Sequence, residues 1–130
     1  GQLMDFFSEM FEKGREVTIN LQVWEDAMIR FQDEYDFQGI YDELGFHIED
    51  WIAENTVEGR FSTTVVTDSK MTFTQVRIPL YFERRGRERA MDTRRYVSQL
   101  RSFLRDAPFN IESKIYQRGL GEAWLILGDK

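Results

Sequence analysis

Residues 16–24 alternate strictly between apolar and polar positions. Val17, Ile19, Leu21 and Val23 fall on one face, and Thr18, Asn20, Gln22 and Trp24 on the other. That period of two predicts a half-buried strand. Ahead of it, Leu3, Phe6, Phe7, Met10 and Phe11 recur at three- and four-residue spacing, which predicts an amphipathic helix over Leu3–Lys13 closed by Gly14. Behind it the period turns helical from Glu25 to Asn55. Met28, Phe31 and Tyr35 lead, then Ile40, Leu44, Ile48, Trp51 and Ile52. Gly39 and Gly45 divide that run into two or three short helices, one of which Asp36 is placed to cap.

The β-branched stretch in Arg60–Thr67 predicts a strand, Thr67-Asp68-Ser69-Lys70 a turn, and Met71–Glu83 a second strand. In the latter, Thr74, Val76, Ile78, Leu80 and Phe82 would share a face, with an edge or bulge at Pro79, which has no N–H to donate. Arg84–Ala90 reads as a charged loop around Gly86. Asp92 or Thr93 caps a helix reaching Asp106, with Tyr96, Val97, Leu100, Phe103 and Leu104 inward and Pro108 beyond its end. A last hairpin pairs Ile111–Gln117 with Glu122–Leu127, whose Trp124–Leu127 run is apolar enough for an interior strand covered on both faces.

The predicted order is α-β-α-β-β-α-β-β. Without its first helix and last strand it becomes β-α-β-β-α-β, the ferredoxin-like order. The expected fold is therefore α+β: a mostly antiparallel sheet with helices on one face, an added N-terminal helix and an extra C-terminal strand. No sequence repeat, low-complexity tract or linker interrupts the 130 residues, so one domain over 1–130 is expected. The chain has no cysteine, which removes disulfides, thiol catalysis and iron–sulfur ligation. No apolar run approaches the ~20 residues of a membrane span, and no leader pattern is visible, so membrane insertion is not expected and a cytoplasmic location is favoured.

Charge changes the picture more than composition does. The net charge is −6, but residues 1–59 hold 15 acids against 3 bases, and residues 60–130 hold 8 acids against 14 bases. The basic half concentrates in Arg84, Arg85, Arg87, Arg89, Arg94 and Arg95, followed by Arg101 and Arg105. Arginine favours planar, bidentate contact with carboxylate or phosphate over mere solubility. Such a patch can pair with acidic helices of its own chain, with another copy or an acidic partner, or with nucleic acid. The low pI of about 4.9 weighs against the last.

Signatures of catalysis are missing. The single histidine, His47, has Glu43 and Asp50 at helical spacing, yet no second histidine supports a metal site, and a surface histidine is the simpler reading. Asp33, Glu34, Asp36 and Asp42 do not fit a calcium loop. Gly119-Leu120-Gly121 begins a dinucleotide motif that Trp124 breaks; a hairpin turn accounts for both glycines. No nucleophile has a recognisable base.

The expectation is thus a protein without catalytic residues, metal or cofactor. It would act as an interaction or assembly module through an acidic face in residues 25–58 and an arginine-rich loop and helix in residues 84–105. A protein partner or self-association is the first choice, and nucleic-acid or phosphate binding through the same arginines the second. Trp24 and Tyr81 are candidate exposed anchors, although Leu3–Lys13 is also placed to cover Trp24.

Overall fold

In the computed structural model, residues 14–128 are described. Strand β1 (Arg15–Val23) is the centre of a five-stranded sheet. It is followed by a hairpin, β2 (Glu34–Phe37) and β3 (Ile40–Glu43), then helix α1 (Leu44–Glu54) and strand β4 (Ser62–Val66). The pattern then recurs: long strand β5 (Lys70–Ile78), hairpin β6 (Tyr81–Arg84) and β7 (Arg87–Ala90), helix α2 (Thr93–Arg105) and strand β8 (Ser113–Arg118). Strand β9 (Glu122–Leu127) ends the series. The architecture repeats strand, hairpin, helix and strand, although the sequence shows no repeat.

The five-stranded sheet has the order β4-β5-β1-β9-β8. Neighbours are antiparallel except β1 and β9, which run parallel with Leu21 opposite Leu125. The mixed α+β fold with a mostly antiparallel sheet is as expected, but the ferredoxin-like order is not. Two extra hairpins intervene, and the strand after α2 does not lie beside β1. β9 takes that place, because its hairpin with β8 turns the more apolar strand inward. Its side chains explain the choice: Ala123, Leu125 and Leu127 are buried, whereas β8 is exposed over Tyr116–Arg118.

One core lies between the sheet and the helices. Val17, Ile19, Leu21 and Val23 meet Met71, Phe73, Val76 and Ile78 from one neighbour and Ala123, Leu125 and Leu127 from the other. Leu44, Ile48 and Ile52 of α1 and Tyr96, Val97, Leu100 and Leu104 of α2 close this layer. The two helices meet through Trp51 and Tyr96, ring centroids 5.3 Å apart. Burying side chains of this size stabilises by roughly 1.5–3 kcal/mol each. Asp92 caps α2 as expected, accepting from the Arg95 backbone N–H at 2.7 Å.

Several sequence expectations are corrected. The run from Glu25 to Asn55 is helical only over Leu44–Glu54. Its first half is a β-hairpin, because Gln38 (φ 53°) and Gly39 (φ 86°) form a two-residue turn of the kind that joins antiparallel strands. Asp36 caps no helix; its Oδ1 accepts from the Gly39 N–H at 3.0 Å and holds that turn. Arg84–Ala90 is likewise a hairpin, turning at Arg85 (φ 55°) and Gly86 (φ 75°). The predicted strand Met71–Glu83 stops at Ile78, before Pro79. Within it, a register shift at Gln75 (φ 54°) reverses the alternation, so Phe73 faces the core together with Val76 and Thr74 does not. The predicted helix Leu3–Lys13 lies outside the described residues.

On the sheet face away from the helices, Thr72 Oγ1 donates to Asn20 Oδ1 at 3.0 Å, both side chains being buried. Within the core, the Tyr96 hydroxyl has no partner among the described residues, and burial pushes it well above the usual phenol range. Urea unfolding should separate these two polar features. Tyr96→Phe removes an unsatisfied buried hydroxyl, and stability should hold or rise. Thr72→Val strips Asn20 of its donor and should cost about 1–3 kcal/mol. A Tyr96→Phe protein less stable than the parent by more than about 1 kcal/mol would show that the hydroxyl is satisfied in solution.

Candidate functional site

The arginine-rich segment is ordered by pairing rather than left as a loop. Phe82 lies opposite Arg89, Arg84 opposite Arg87, Glu83 opposite Glu88 and Tyr81 opposite Ala90. Because successive side chains alternate faces, the hairpin sorts its charges. Phe82, Arg84, Arg87 and Arg89 share one face, and Tyr81, Glu83, Glu88 and Ala90 the other. Arg95 joins the first face from the opening turn of α2, its guanidinium carbon 5.0 Å from the centroid of the Phe82 ring. Phe82 is half-buried and anchors the hairpin to the core; everything from Glu83 to Ala90 is exposed.

The five arginines Arg84, Arg85, Arg87, Arg89 and Arg94 have no ion pair among the described residues. The described acids of the first half thus pair with none of these five arginines. Arg84 directly opposite Arg87 is destabilising in isolation, as like charges across a strand pair are. The cost falls when an anion approaches. Arg94 is exposed on α2, and Arg105 in its last turn suits the helix dipole.

The acidic counterpart is also a hairpin, which the sequence reading mistook for helix. In β2–β3, Tyr35 and Phe37 face inward, with Tyr35 5.2 Å from Phe109 and Phe37 5.2 Å from Phe103. The opposite face carries Glu34, Asp36 and Glu43 around Tyr41, which is 67% exposed. The Glu34 carboxylate, by hydrogen bonding and by its charge, raises the Tyr41 hydroxyl above the usual phenol value. The basic hairpin adjoins the start of α2 and the acidic one packs on its end. Thirteen helical residues, about 20 Å, separate them.

Trp24 and Tyr81 were the candidate anchors. Trp24 lies just past β1 and is 42% exposed; Tyr81 opens β6, on the face of the hairpin opposite the arginines. The segment expected to cover Trp24 lies outside the described residues. Trp24, Trp124, Tyr116, Gln22, Glu25 and Ile126 border a cleft of about 450 Å³ on the sheet. Lys70 already holds one ring there, its Nζ 5.3 Å from the Trp124 centroid.

His47 is not a surface residue, as the sequence suggested, but is 3% exposed. It sits in α1 beneath the acidic hairpin, with its Nε2 2.8 Å from the Tyr35 carbonyl oxygen. A carbonyl only accepts, so Nε2 carries the proton. Among the described residues, no group of three histidine or acidic side chains is placed to hold a metal ion. Nor is any of their helices long and apolar enough to cross a membrane.

These features define an α+β fold with a sheet-and-helix core and two oppositely charged hairpins. The chain belongs to the family described as a domain of unknown function (DUF6175), whose profile matches residues 15–128. No curated protein and no solved structure matches it.

The Tyr41 environment can be checked by ultraviolet titration. In the parent, Tyr41 should ionise above the ordinary tyrosine range, because the phenolate would sit beside a carboxylate. Glu34→Gln should move it back down, and added salt should shrink the difference. A Tyr41 titration unchanged by Glu34→Gln would contradict the arrangement of that face.

Proposed function

We propose that this protein is an electrostatic assembly module. The arginine face of β6–β7 on one copy lies against the acidic face of β2–β3 on another. The observation that carries the proposal is the sorting of charge by the two hairpins. Each is four residues paired with four, joined by a two-residue turn, and each presents charges of one sign around an aromatic ring. Arginines surround Phe82, and carboxylates surround Tyr41.

Separation along α2 supports contact between copies rather than within one. About 20 Å exceeds the screening length of roughly 8 Å at physiological salt. A contact between two different surfaces is heterologous, so it propagates into a ring or a filament unless its geometry closes a dimer. The arginines pair bidentately with carboxylates, and complementary fields speed encounter more than they deepen affinity. Nucleic-acid binding through the same arginines competes with this reading. The Phe82 ring, which a base would use for stacking, is half-buried and already covered by Arg95.

Light scattering at low and high salt tests the proposal. At low salt the average mass should rise with protein concentration, and it should fall to that of one chain at high salt. Arg84→Glu with Arg87→Glu should weaken association at least about tenfold, as should Glu34→Arg with Asp36→Arg. Mixing the two variant proteins should restore a complex, because the unaltered acidic hairpin of the first meets the unaltered basic hairpin of the second. A single-chain mass under all conditions would overturn the proposal. So would a protein whose mass changes only when an oligonucleotide is added.

A further inference from the structure

A second cavity, of about 300 Å³, lies between the turn of the acidic hairpin and the C-terminal half of α1. Its walls are flat and aromatic: Phe37, Trp51 and Phe103. They are held in a packed set, with Phe37 edge-on to Phe103 at 5.2 Å and Trp51 6.1 Å from Phe103. Trp51 is further braced against Tyr96. Such walls are formed before any ligand arrives, which lowers the ordering cost of binding.

Five polar side chains border the cavity, the amides Gln38 and Asn55, His47, and two carboxylates. Asp50 and Glu54 stand one helical turn apart on α1, and neither has an ion-pair partner among the described residues. His47 adds a ring nitrogen: its Nε2 donates to the Tyr35 carbonyl, and no described residue reaches Nδ1. This ring is almost wholly buried, yet it lines the cavity. A ring nitrogen without a partner, held at the wall of a cavity, leaves a hydrogen-bonding position open to a ligand.

Two features of α1 make the absence of a cation costly. Like charges one turn apart repel. Moreover, the helix ends on Glu54 with no basic residue in its last turn, so carboxylates sit at the negative end of the helix dipole. A bound cation relieves both. A bare metal ion does not suit the site, since the histidine and acids do not converge on a point. A planar cation does, because it can stack on Trp51 while its edge donates to several acceptors at once.

We propose that this cavity binds a guanidinium group, stacked among Phe37, Trp51 and Phe103 and donating to Asp50 and Glu54, beside the open Nδ1 position of His47. The site stands on its own lining and does not depend on assembly between copies. The guanidinium arrives either as a free small molecule or as the side chain of an arginine on another chain.

Titration followed by the Trp51 indole and His47 ring signals in NMR tests this, with methylguanidine and N-acetyl-L-arginine amide as the two probes. Saturable shifts with both probes identify a site for the free group. Saturation with the arginine amide alone identifies a side-chain site. Either supports the proposal, provided that the citrulline analogue, which is isosteric but uncharged, and the lysine analogue bind at least about tenfold more weakly. Asp50→Asn with Glu54→Gln should lower affinity at least about tenfold, while Glu112→Gln, an exposed acid outside the lining, should leave it unchanged. Circular dichroism of the double variant confirms that it is folded. No saturable shift in the millimolar range would overturn the proposal. So would a citrulline analogue that binds as well as arginine, or a folded double variant with unaltered affinity.

Discussion

The pairing of β1 on both sides is the constraint from which the rest of the structure follows. It runs antiparallel to β5 and parallel to β9, so Leu21 stands between Met71 and Leu125 in register. Over Thr18–Val23 it has a neighbour on both edges, which commits backbone donors and acceptors on either side, while Arg15–Val17 pair with β5 alone. Its Val17–Val23 face then fixes which side of the sheet is apolar. Both helices must cover that side, because only there can Ile48, Ile52, Leu100 and Leu104 be removed from water. A slip of β1 by one residue would turn Ile19 and Leu21 outward and bring Asn20 into the core.

The hairpins are consequences of this frame. Each interrupts the path from a long central strand to the helix that follows it, and each is tethered by its own aromatic residues: Tyr35 and Phe37 on Phe109 and Phe103, and Phe82 beneath Arg95. In the acidic hairpin the charges lie on the face opposite the tether, whereas in the basic hairpin the arginines share the face of Phe82. The two-residue period then does for charge what it does for hydrophobicity in β1. It gathers Glu34, Asp36 and Glu43 on one surface and Arg84, Arg87 and Arg89 on another. An electrically uneven sequence becomes two local surfaces of opposite sign, held apart by the length of α2.

Much of the frame was legible in the residues. The alternation of 16–24, the cap at Asp92, the inward stripe of α2 and the final hairpin all follow from short-range periodicity, and the structure repeats them. The hairpins were not legible. Gln38-Gly39 and Arg85-Gly86 lack the Asn-Gly or Asp-Gly pairs that mark such turns most strongly. Met28, Phe31 and Tyr35 mimic helical spacing by coincidence. Parity arguments failed at Gln75 because one extra residue reverses every later position. Sheet order was beyond reach for another reason. Whether β8 or β9 lies beside β1 depends on which strand offers the better buried face, a comparison between distant segments. His47 looked exposed because its burial comes from Phe37 and Phe109, neither adjacent in the chain.

The central claim is that the acidic and basic hairpins of different copies meet, and the absence of cysteine permits a direct test. A nitroxide attached at Glu88→Cys would sit on the basic hairpin while leaving its arginine face intact. Mixed with isotope-labelled parent protein at low salt, it should broaden amide signals of residues 34–43 in the labelled copy, and high salt should abolish the effect. Broadening centred elsewhere, or none at concentrations where the mass increases, would contradict the account.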